Sequence, residues 1–400
     1  MIVLTIALGI LAAVLLLPAI SDVIALARAG SGGRLTRGSA QGIDQSVPRL
    51  LVLVPAHDEE LLIGPCLRSL AQLRYPKDQL TIAVVADNCR DGTADIARSS
   101  GVLCLERRDT ERQGKPWAIA WALKRLPVRE HDALVIVDAD SIVDPDFAAG
   151  IAAHAPLADK ALQPYNDVDN RAENALTRMA SVFSAVRFRF MNPLKDRALV
   201  NVPLANGMCV GTSVLATHGW QAFSICENWE MYAILTTLGI RIEGAPEAHL
   251  CSQEASSLRQ SYSQRRRWTA GRLDVLAGHA RVLLASRHVG LHQKLDAVAE
   301  LTAPGPAVHL GIAVVMSALA IPLGVPGVAW VIGALALSVA RPIAFTLAAL
   351  RVDPEPLAAA RAFAYLPVYM AWRLVVQMTA VLPSGATRWT RTARHLRAEG

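Results

Sequence analysis

Residues 134–141 read LVIVDADS, and this stretch decides both the fold and the chemistry that the sequence predicts. Its apolar, β-branched part has the length and composition of a strand that is buried on both faces. Asp138 and Asp140 follow at the carboxyl end, where open α/β sheets bind ligands. Because alternate residues of an extended chain point the same way, the two carboxylates can share one Mg²⁺ or Mn²⁺ with the phosphates of a nucleotide. The alternative is a polar turn after a strand, where Asp is common.

Strand and helix patterns alternate along the chain from residue 50 onward. Predicted strands cover residues 50–54, 80–86, 102–105 and 133–137. Predicted helices cover residues 59–73, 93–99 and 116–126. Such alternation is typical of a mostly parallel sheet with helices on both faces, so we expect an α/β fold. We expect this domain to extend over residues 48–291.

The composition predicts a soluble domain that is tied to a membrane. Hydrophobic residues make up 52% of the 400 residues, charged residues make up 18%, and the mean hydropathy is +0.31. This composition is too apolar for a purely soluble enzyme and too polar for a transporter. The net charge is +6, but the basic stretches lack aromatic interleaving and finger spacing, so we expect no nucleic acid partner. The six cysteines have no paired spacing and indicate free thiols in a reducing compartment.

An apolar segment at the start of the chain predicts the first membrane attachment. Residues 1–28 are expected to form a transmembrane helix, followed by a linker at 29–47 that is rich in Gly and Ser. A signal peptide is the alternative, but no basic residue precedes the apolar run. The first basic residues, Arg28, Arg34 and Arg37, follow the segment, which places its carboxyl end in the cytoplasm.

Further apolar segments follow the predicted soluble domain. Residues 303–350 are expected to form a transmembrane hairpin, in which Arg341 is costly unless it is paired or reaches the interface. Residues 358–382 are expected to form an interfacial or transmembrane helix, and residues 383–400 a basic cytoplasmic tail. We therefore expect a multi-pass protein of the inner (cytoplasmic) membrane whose soluble domain faces the cytoplasm.

Several other polar segments stand where ligands bind to such a sheet. Residues 55–60, PAHDEE, form either a turn that holds a nucleoside or an ordinary helix start. Asp87 ends the second strand, where it either accepts a hydrogen bond from a uracil or ribose or belongs to an Asx turn. Gly114-Lys115 begins a helix and suits a phosphate or a nucleotide carbonyl, with a solvated lysine as the alternative. Residues 264–268, QRRRW, suit a diphosphate and a sugar, or a surface of anionic lipid.

The order of these segments resembles the membrane-bound family 2 glycosyltransferases of the GT-A fold, a group that includes cellulose synthase, hyaluronan synthase and ceramide glucosyltransferase. The matching segments are PAHDEE at 55–60, ADNCRDGT at 86–93, GK at 114–115, DADS at 138–141, NGM at 206–208, CENWE at 226–230 and QRRRW at 264–268. The resemblance covers about residues 52–272 and extends to WTRT at 389–392. It implies a Rossmann-like sheet, a UDP-sugar donor, a lipid or glycan acceptor and a membrane location.

The resemblance also implies roles for individual residues. Asp138 and Asp140 would hold Mg²⁺ or Mn²⁺ together with the diphosphate, and Asp87 would contact the uridine. The implied donor-binding residues are Pro55, Ala56, Glu59, Asp87, Lys115 and Asp138. The residues implied for the diphosphate and acceptor region are Asn206, Gly207, Gln264, Arg267 and Trp268.

One segment departs from the family pattern. The family has Thr-Glu-Asp, whose Asp is the general base, where this chain has Cys226-Glu227-Asn228. An amide is not basic near neutral pH, so Asn228 is unsuited to take the proton of an acceptor hydroxyl. Glu227 and Glu230 are the nearest carboxylates. The sequence therefore predicts an inverting hexosyltransferase that acts on a membrane-associated lipid or polysaccharide, or else an inactive sugar-nucleotide-binding subunit of an envelope-polysaccharide assembly.

Overall fold

The computed structural model describes residues 2–31, 47–322, 324 and 327–381, and these divide into two compact units. The sheet unit contains residues 47–169 and 201–254. The helical unit contains residues 2–31, 170–200 and the described residues from 255 to 381. Most of the predicted linker at 29–47 and all of the predicted tail at 383–400 lie outside the described residues.

The sheet unit is built on an eight-stranded sheet within the described residues. The strands are β1 Leu50–Ala56, β2 Leu80–Asp87, β3 Leu103–Arg107, β4 Ala133–Ile136, β5 Ser141–Val143, β6 Ala161–Val168, β7 Cys209–Gly211 and β8 Ile242–Ser252. Their order across the sheet is β3-β2-β1-β4-β7-β6-β8-β5. Strands β3, β2, β1 and β4 run parallel, β7 is antiparallel to β4 and β6, and β8 is parallel to β6 and antiparallel to β5. The mixed, mostly parallel sheet confirms the predicted fold class.

The helices belong to one or the other unit. The helical unit contains α1 Ile2–Ser31, α6 Ala175–Ala185, the π-helix Val186–Met191, α7 Asn192–Arg197, α10 Leu258–Ala285, α11 Leu291–Thr302, α12 Pro306–Ala320, α13 Val328–Val352, α14 Pro356–Ala362 and α15 Leu366–Val381. The sheet unit contains α2 Ile63–Ala71, α3 Thr93–Ser99, α4 Lys115–Leu123, α5 Phe147–Ala152, α8 Thr212–His218 and α9 Glu227–Thr237. Short 3₁₀ helices lie at Lys77–Gln79, Val128–Glu130 and Phe363–Tyr365.

The parallel strands position the site because their carboxyl ends meet at one edge. Every residue of β1 and β4 is buried, and strands covered on both faces read as continuous apolar runs. The register pairs Ala56 with Ala86, so β1 and β2 end side by side. It also pairs Leu53 with Ile136, which brings the end of β4 to the same edge. Polar side chains that follow these three strands are therefore neighbours.

The helical unit contains apolar helices long enough to cross a membrane. Within the described residues, Thr5–Gly30 and Val328–Val352 qualify, with hydropathies of 2.4 and 1.8. Leu291–Thr302 and Pro306–Ala320 qualify as a pair that is bent by 80°. The described part of the chain thus holds two candidate spans, or three if the bent pair is one span. Their length and composition support membrane association, and the predicted hairpin at 303–350 stays a prediction.

Several buried charged side chains of the helical unit are paired. Arg341 of α13 donates from Nε to Asp22 Oδ2 of α1 at 2.6 Å, so its guanidinium has the partner that the sequence required. Lys195 of α7 lies 2.5 Å from Asp296 Oδ1 and 3.1 Å from Glu300 Oε1, both on α11. Because buried charges are costly unless they are paired, these contacts hold particular helix faces together.

Candidate active site

The two aspartates of residues 134–141 lie in a turn at the edge of the sheet. Strand β4 ends at Ile136, and the amide of Ser141 donates to the carbonyl oxygen of Asp138 at 3.0 Å, as in a β-turn. The expectation that Asp138 and Asp140 share a face rested on an extended chain at these residues. That premise was wrong, because they lie in a turn. Both side chains are partly exposed at the site, which leaves carboxylate oxygens accessible to a ligand.

The side chain of Asn206 holds this turn in place. Its Oδ1 accepts from the amide of Asp138 at 2.9 Å. Its Nδ2 donates to Ser141 Oγ at 2.7 Å and to Ser252 Oγ at 2.9 Å. Ser141 Oγ in turn lies 3.4 Å from Asp140 Oδ1. Asn206, predicted for the diphosphate and acceptor region, therefore positions the aspartates, and sequence reasoning missed Ser141 and Ser252.

Gly207, the next residue, must be glycine for two reasons. Its φ is +80°, a conformation that side chains rarely adopt. A Cβ at this position would lie 2.2 Å from Leu250 Cδ2, inside the core. Its amide donates to the carbonyl of Ile136 at 3.0 Å, which ties the segment to the end of β4. Gly207 therefore allows Asn206 to reach Asp138.

Lys115 connects the aspartate turn to the candidate base. Gly114 has a φ of +107° and ends the loop that leads to α4, of which Lys115 is the first residue. The Lys115 ammonium lies 2.6 Å from Asp138 Oδ1 and 2.7 Å from Glu227 Oε1. Burial alone would lower the pKa of Lys115, but the carboxylates of Asp138 and Glu227 outweigh it and raise that pKa above its usual value. The lysine is therefore a permanent cation between two anions.

Glu227 and its neighbours have distinct contacts. Glu227 begins α9, and its side chain is only 9% exposed. Asn228 Oδ1 accepts from the amide of Trp229 at 2.9 Å. Glu230 Oε2 accepts from the amide of Ser224 at 2.5 Å, which braces the loop before the helix. Of the two carboxylates proposed from sequence, Glu227 is the one that lies beside Lys115.

Asp87 and Arg107 form a buried pair at the same sheet edge. They are the last residues of β2 and β3, and their nearest side-chain atoms are 2.5 Å apart. Burial raises the pKa of Asp87, and the contact with Arg107 opposes that rise. Arg107 also contacts Asp109 at 2.8 Å. The sequence reasoning missed Arg107, although an arginine two residues after the predicted strand at 102–105 was a usable signal; the role of Asp87 toward uridine stays a prediction.

The segment predicted to bind the nucleoside folds into a tight turn after β1. Pro55 and Ala56 are its last strand residues, and Glu59 donates its amide to Thr93 Oγ1 at 2.8 Å. His57 Nδ1 lies 2.6 Å from the carbonyl oxygen of Asp87, so this turn and the end of β2 are joined. These contacts place the predicted donor residues beside Asp87.

Asp58 of this turn and Cys89 and Asp91 of the loop after β2 form a cluster whose ligand atoms lie within 4.8 Å of one another. The Asp58 carboxylate accepts from the amide of Arg90 at 2.7 Å, and Asp91 accepts from the amide of Thr93 at 3.0 Å. Burial raises the pKa of the Cys89 thiol to about 11, so the thiol is protonated near neutral pH. The cluster therefore satisfies backbone amides. All six cysteines are free thiols in the structure.

The aspartate turn fits a hard divalent cation better than that cluster does. Its donors are carboxylate oxygens, which Mg²⁺ and Mn²⁺ prefer. One of them, Asp138 Oδ1, already has a cationic group at 2.6 Å. The donor set at Asp138 and Asp140 therefore suits the predicted metal chemically.

A groove of about 800 Å³ lies along α4 in the sheet unit. Its aromatic walls include Trp117, Trp121, Trp220 and Phe223. The rings of Trp117 and Phe223 are 4.4 Å apart, and the guanidinium of Arg125 lies 3.9 Å from the centre of Trp121. Flat rings and guanidinium groups are suited to sugars and to acidic groups on them.

The remaining predicted residues belong to the helical unit. Gln264, Arg267 and Trp268 lie on α10. Gln264 is buried, and its Oε1 has no hydrogen-bond partner among the described residues. Trp268 is 42% exposed, and the guanidinium of Arg265 lies 4.8 Å from its ring centre. Their roles toward a diphosphate or an acceptor stay predictions.

Among solved structures, the chain is similar to a mannosyltransferase of Pyrobaculum calidifontis in complex with GDP-Man and Mn²⁺. The similarity covers 95% of this chain and 96% of that protein, with a TM-score of 0.59 and 19% identity. At this level of identity the similarity concerns the fold. The match agrees with a GT-A-like arrangement of the sheet.

Two curated glycosyltransferases are similar to this chain in sequence. The probable glycosyltransferase YdaM of Bacillus subtilis (strain 168) is 26% identical over 57% of this chain and 56% of its own length. The beta-monoglucosyldiacylglycerol synthase of Trichormus variabilis is 25% identical over 46% of this chain and 41% of its own length. The chain spans about half the length of the curated relatives it matches.

The family described as "Glycosyltransferase like family 2" matches residues 48–271, which is more than half of the chain. The matched range contains every segment on which the resemblance was based, apart from the short pattern at 389–392. It also contains the Lys115, Asp138 and Glu227 contacts. The chain therefore belongs to glycosyltransferase family 2 and has the GT-A-like fold that its sequence predicted.

Proposed function

We propose that this chain is a metal-dependent, inverting hexosyltransferase that moves a sugar from a UDP-sugar to a lipid or polysaccharide acceptor at a membrane. The observation that carries the proposal is the convergence of Lys115, Asp138 and Glu227 at one edge of the sheet. It supplies a carboxylate for a metal, a cation for phosphate and a second carboxylate for a proton. These are the groups that transfer from a nucleotide sugar requires.

Asp138 and Asp140 would hold Mg²⁺ or Mn²⁺ beside the donor diphosphate. When bound, the metal supplies stabilisation of the negative charge that develops on the leaving diphosphate. The Lys115 ammonium adds positive potential at the same place. Asn206 contributes indirectly, since its hydrogen bonds fix the position of Asp138.

Glu227 is the proposed general base. Its carboxylate accepts the proton of the acceptor hydroxyl while that oxygen attacks the anomeric carbon. The bond between this carbon and the diphosphate oxygen breaks, and the electron pair leaves with the nucleoside diphosphate. A single displacement of this kind inverts the anomeric centre. Asn228 cannot replace Glu227, because an amide does not accept a proton near neutral pH.

The acceptor is proposed to be a membrane lipid or a polysaccharide. One curated relative is named for the synthesis of beta-monoglucosyldiacylglycerol, a glycolipid. The groove along α4 supports a carbohydrate-bearing acceptor, because its aromatic rings suit the apolar faces of sugars. Trp117 and Phe223, which are in contact there, lie close in sequence to Lys115 and Glu227 respectively.

We place the protein in the inner membrane as a multi-pass protein with the sheet unit on the cytoplasmic side. The candidate spans Thr5–Gly30 and Val328–Val352 support attachment at both ends of the family domain. Arg28 follows the first apolar run, as expected for a cytoplasmic end.

Protease added outside intact cells should leave residues 47–291 uncut, and cleavage there would contradict this orientation.

The proposed activity is tested with membranes that contain the full chain. They are incubated with a panel of radiolabelled UDP-sugars and with GDP-mannose, and lipid and polymer products are separated. We expect label from one UDP-sugar to enter a product, and excess chelator to stop the incorporation. Binding of UDP without any transfer would favour the alternative that Asn228 suggests, an inactive sugar-nucleotide-binding subunit. Transfer only from GDP-mannose would contradict the proposed donor.

A further inference from the structure

The ammonium of Lys115 occupies the place beside Asp138 where the proposed function puts a divalent cation. It lies 2.6 Å from Asp138 Oδ1 and 2.7 Å from Glu227 Oε1. Only 24% of the Lys115 side chain and 9% of the Glu227 side chain are exposed, so water screens the contact between them weakly, whereas the Asp138 side chain is 37% exposed and open to a ligand. The lysine therefore neutralises both the proposed metal ligand and the proposed base.

A second cation at Asp138 would disturb this arrangement. Two cations that share one carboxylate oxygen repel each other, and the divalent ion carries the larger charge. A nucleotide diphosphate brings further negative charge to the same sheet edge and offers the ammonium a new partner. Lys115 can then leave its two carboxylates without losing an anionic contact. A metal that arrives alone gives it no such replacement.

We propose that Lys115 competes with the divalent cation for Asp138. The ammonium leaves the carboxylates of Asp138 and Glu227 when the metal and a nucleotide diphosphate bind together. The inference rests on the proposed function for its metal and its donor. It assigns Lys115 a second task besides donor binding: while the donor is absent, the lysine covers the proposed base. The metal then binds well only with the nucleotide.

Mn²⁺ binding to the purified full chain in detergent, followed by electron paramagnetic resonance, tests this competition without reference to activity. In the wild type, UDP should strengthen Mn²⁺ binding strongly. In Lys115→Met, Mn²⁺ alone should bind about 10- to 100-fold more tightly than in the wild type, the range expected for loss of one competing charge-assisted hydrogen bond. The strengthening by UDP should shrink accordingly.

Lys124→Met is the matched control, because Lys124 lies at the other end of α4 and its side chain is exposed. It removes the same charge and should leave Mn²⁺ binding unchanged. Lys115→Gln keeps a hydrogen-bond donor near the two carboxylates and should also bind Mn²⁺ more tightly than the wild type. Circular dichroism of each variant verifies that it is folded, and if Met at 115 prevents folding, the Gln variant carries the test.

The outcomes separate this inference from the proposed function. If Asp138→Asn abolishes Mn²⁺ binding but Lys115→Met and Lys115→Gln bind Mn²⁺ no better than the wild type, the metal site stands and the competition is refuted. If neither the wild type nor any variant binds Mn²⁺, with or without UDP, the proposed metal site itself is wrong, and the competition is refuted with it. Tighter binding in both Lys115 variants, absent in the Lys124 control, supports the competition.

Discussion

Asp138 and Asp140 lie in the same turn but are held differently. Asp138 is fixed through its amide by Asn206 and through its carboxylate by Lys115. Asp140 lies 3.4 Å from the hydroxyl of Ser141. Neither side chain is buried, so their carboxylates serve a ligand and contribute little to the core.

Replacing either aspartate by asparagine should therefore remove activity and preserve the fold. We expect Asp138→Asn and Asp140→Asn to lower sugar transfer by at least about 100-fold, because electrostatic stabilisation of the leaving group is the largest catalytic contribution of such a site. Transfer from the labelled donor and the melting temperature are measured together. Asp144→Asn, an exposed neighbour, is the control. Wild-type transfer by both variants in excess chelator would refute the metal role.

Glu227 can be separated from the metal site by its own substitution. Glu227→Gln should abolish sugar transfer, because an amide accepts no proton, while UDP binding remains. Glu230→Gln should retain transfer, since its oxygen can still accept from the amide of Ser224. Asn228→Asp should be tolerated. Calorimetric titration with UDP and the transfer assay are run on all three variants. Full transfer by Glu227→Gln would show that Glu227 is not the general base.

Sequence reasoning located some of the polar residues at the ends of strands and missed others. Asp138 and Asp87 follow apolar runs, so periodicity and position were enough to single them out. Arg107 and Ser252 were missed because their importance depends on partners distant in sequence. Ser252, for example, meets Asn206 through a hydrogen bond between side chains 46 residues apart. Contacts of this kind follow from strand pairing, which a single sequence does not specify.

Among the elements, the four neighbouring parallel strands β1 to β4 were predictable from sequence and the later strands β5 to β8 were not. The predicted strand at 50–54 is β1, and the one at 133–137 is β4, each with small differences at the ends. Strand β7 has only three residues, too few for a periodic pattern. Strand β8 runs over eleven residues but carries Glu243, Glu247 and His249 among its apolar positions. Its assignment depends on pairing with β6.

The segment at Gly207 gives a prediction about how β4 and the aspartate turn are supported. Gly207→Ala should destabilise the sheet unit by about 2 to 5 kcal/mol, from backbone strain and from overlap with buried Leu250. Gly101→Ala is the matched control, because Gly101 also has a positive φ but nothing within 4 Å of the added Cβ. It should cost only about 1 kcal/mol. Thermal unfolding of both variants is compared, and equal losses would contradict the steric argument.

Helices α1 and α13 give a second prediction at this scale. Arg341→Leu should destabilise the helical unit by about 3 to 5 kcal/mol, because it leaves the buried carboxylate of Asp22 without its partner. The double variant Asp22→Leu with Arg341→Leu should regain most of that loss, since no charge is then left uncompensated. Unfolding in detergent is followed by tryptophan fluorescence. A double variant that is less stable than the single one would show that the pair itself is stabilising.

At the scale of the whole molecule, the sequence did not reveal how the chain is divided. Residues 170–200 and 255–291 fall inside the range predicted as one domain, 48–291, yet they belong to the helical unit. The helical unit is assembled from three separate stretches of chain, and no composition shift marks where the chain leaves the sheet unit. The apolar ends were visible from sequence because span length and hydropathy are local properties.

The central claim is that the chain transfers a sugar by one displacement, with Glu227 as the base. The anomeric configuration of the transferred sugar tests this most directly. Product formed from an α-linked UDP-sugar by the full chain in membranes is isolated and its anomeric proton coupling is measured by nuclear magnetic resonance. We predict a β-linked product; an α-linked product would contradict the single displacement and the role of Glu227 in it.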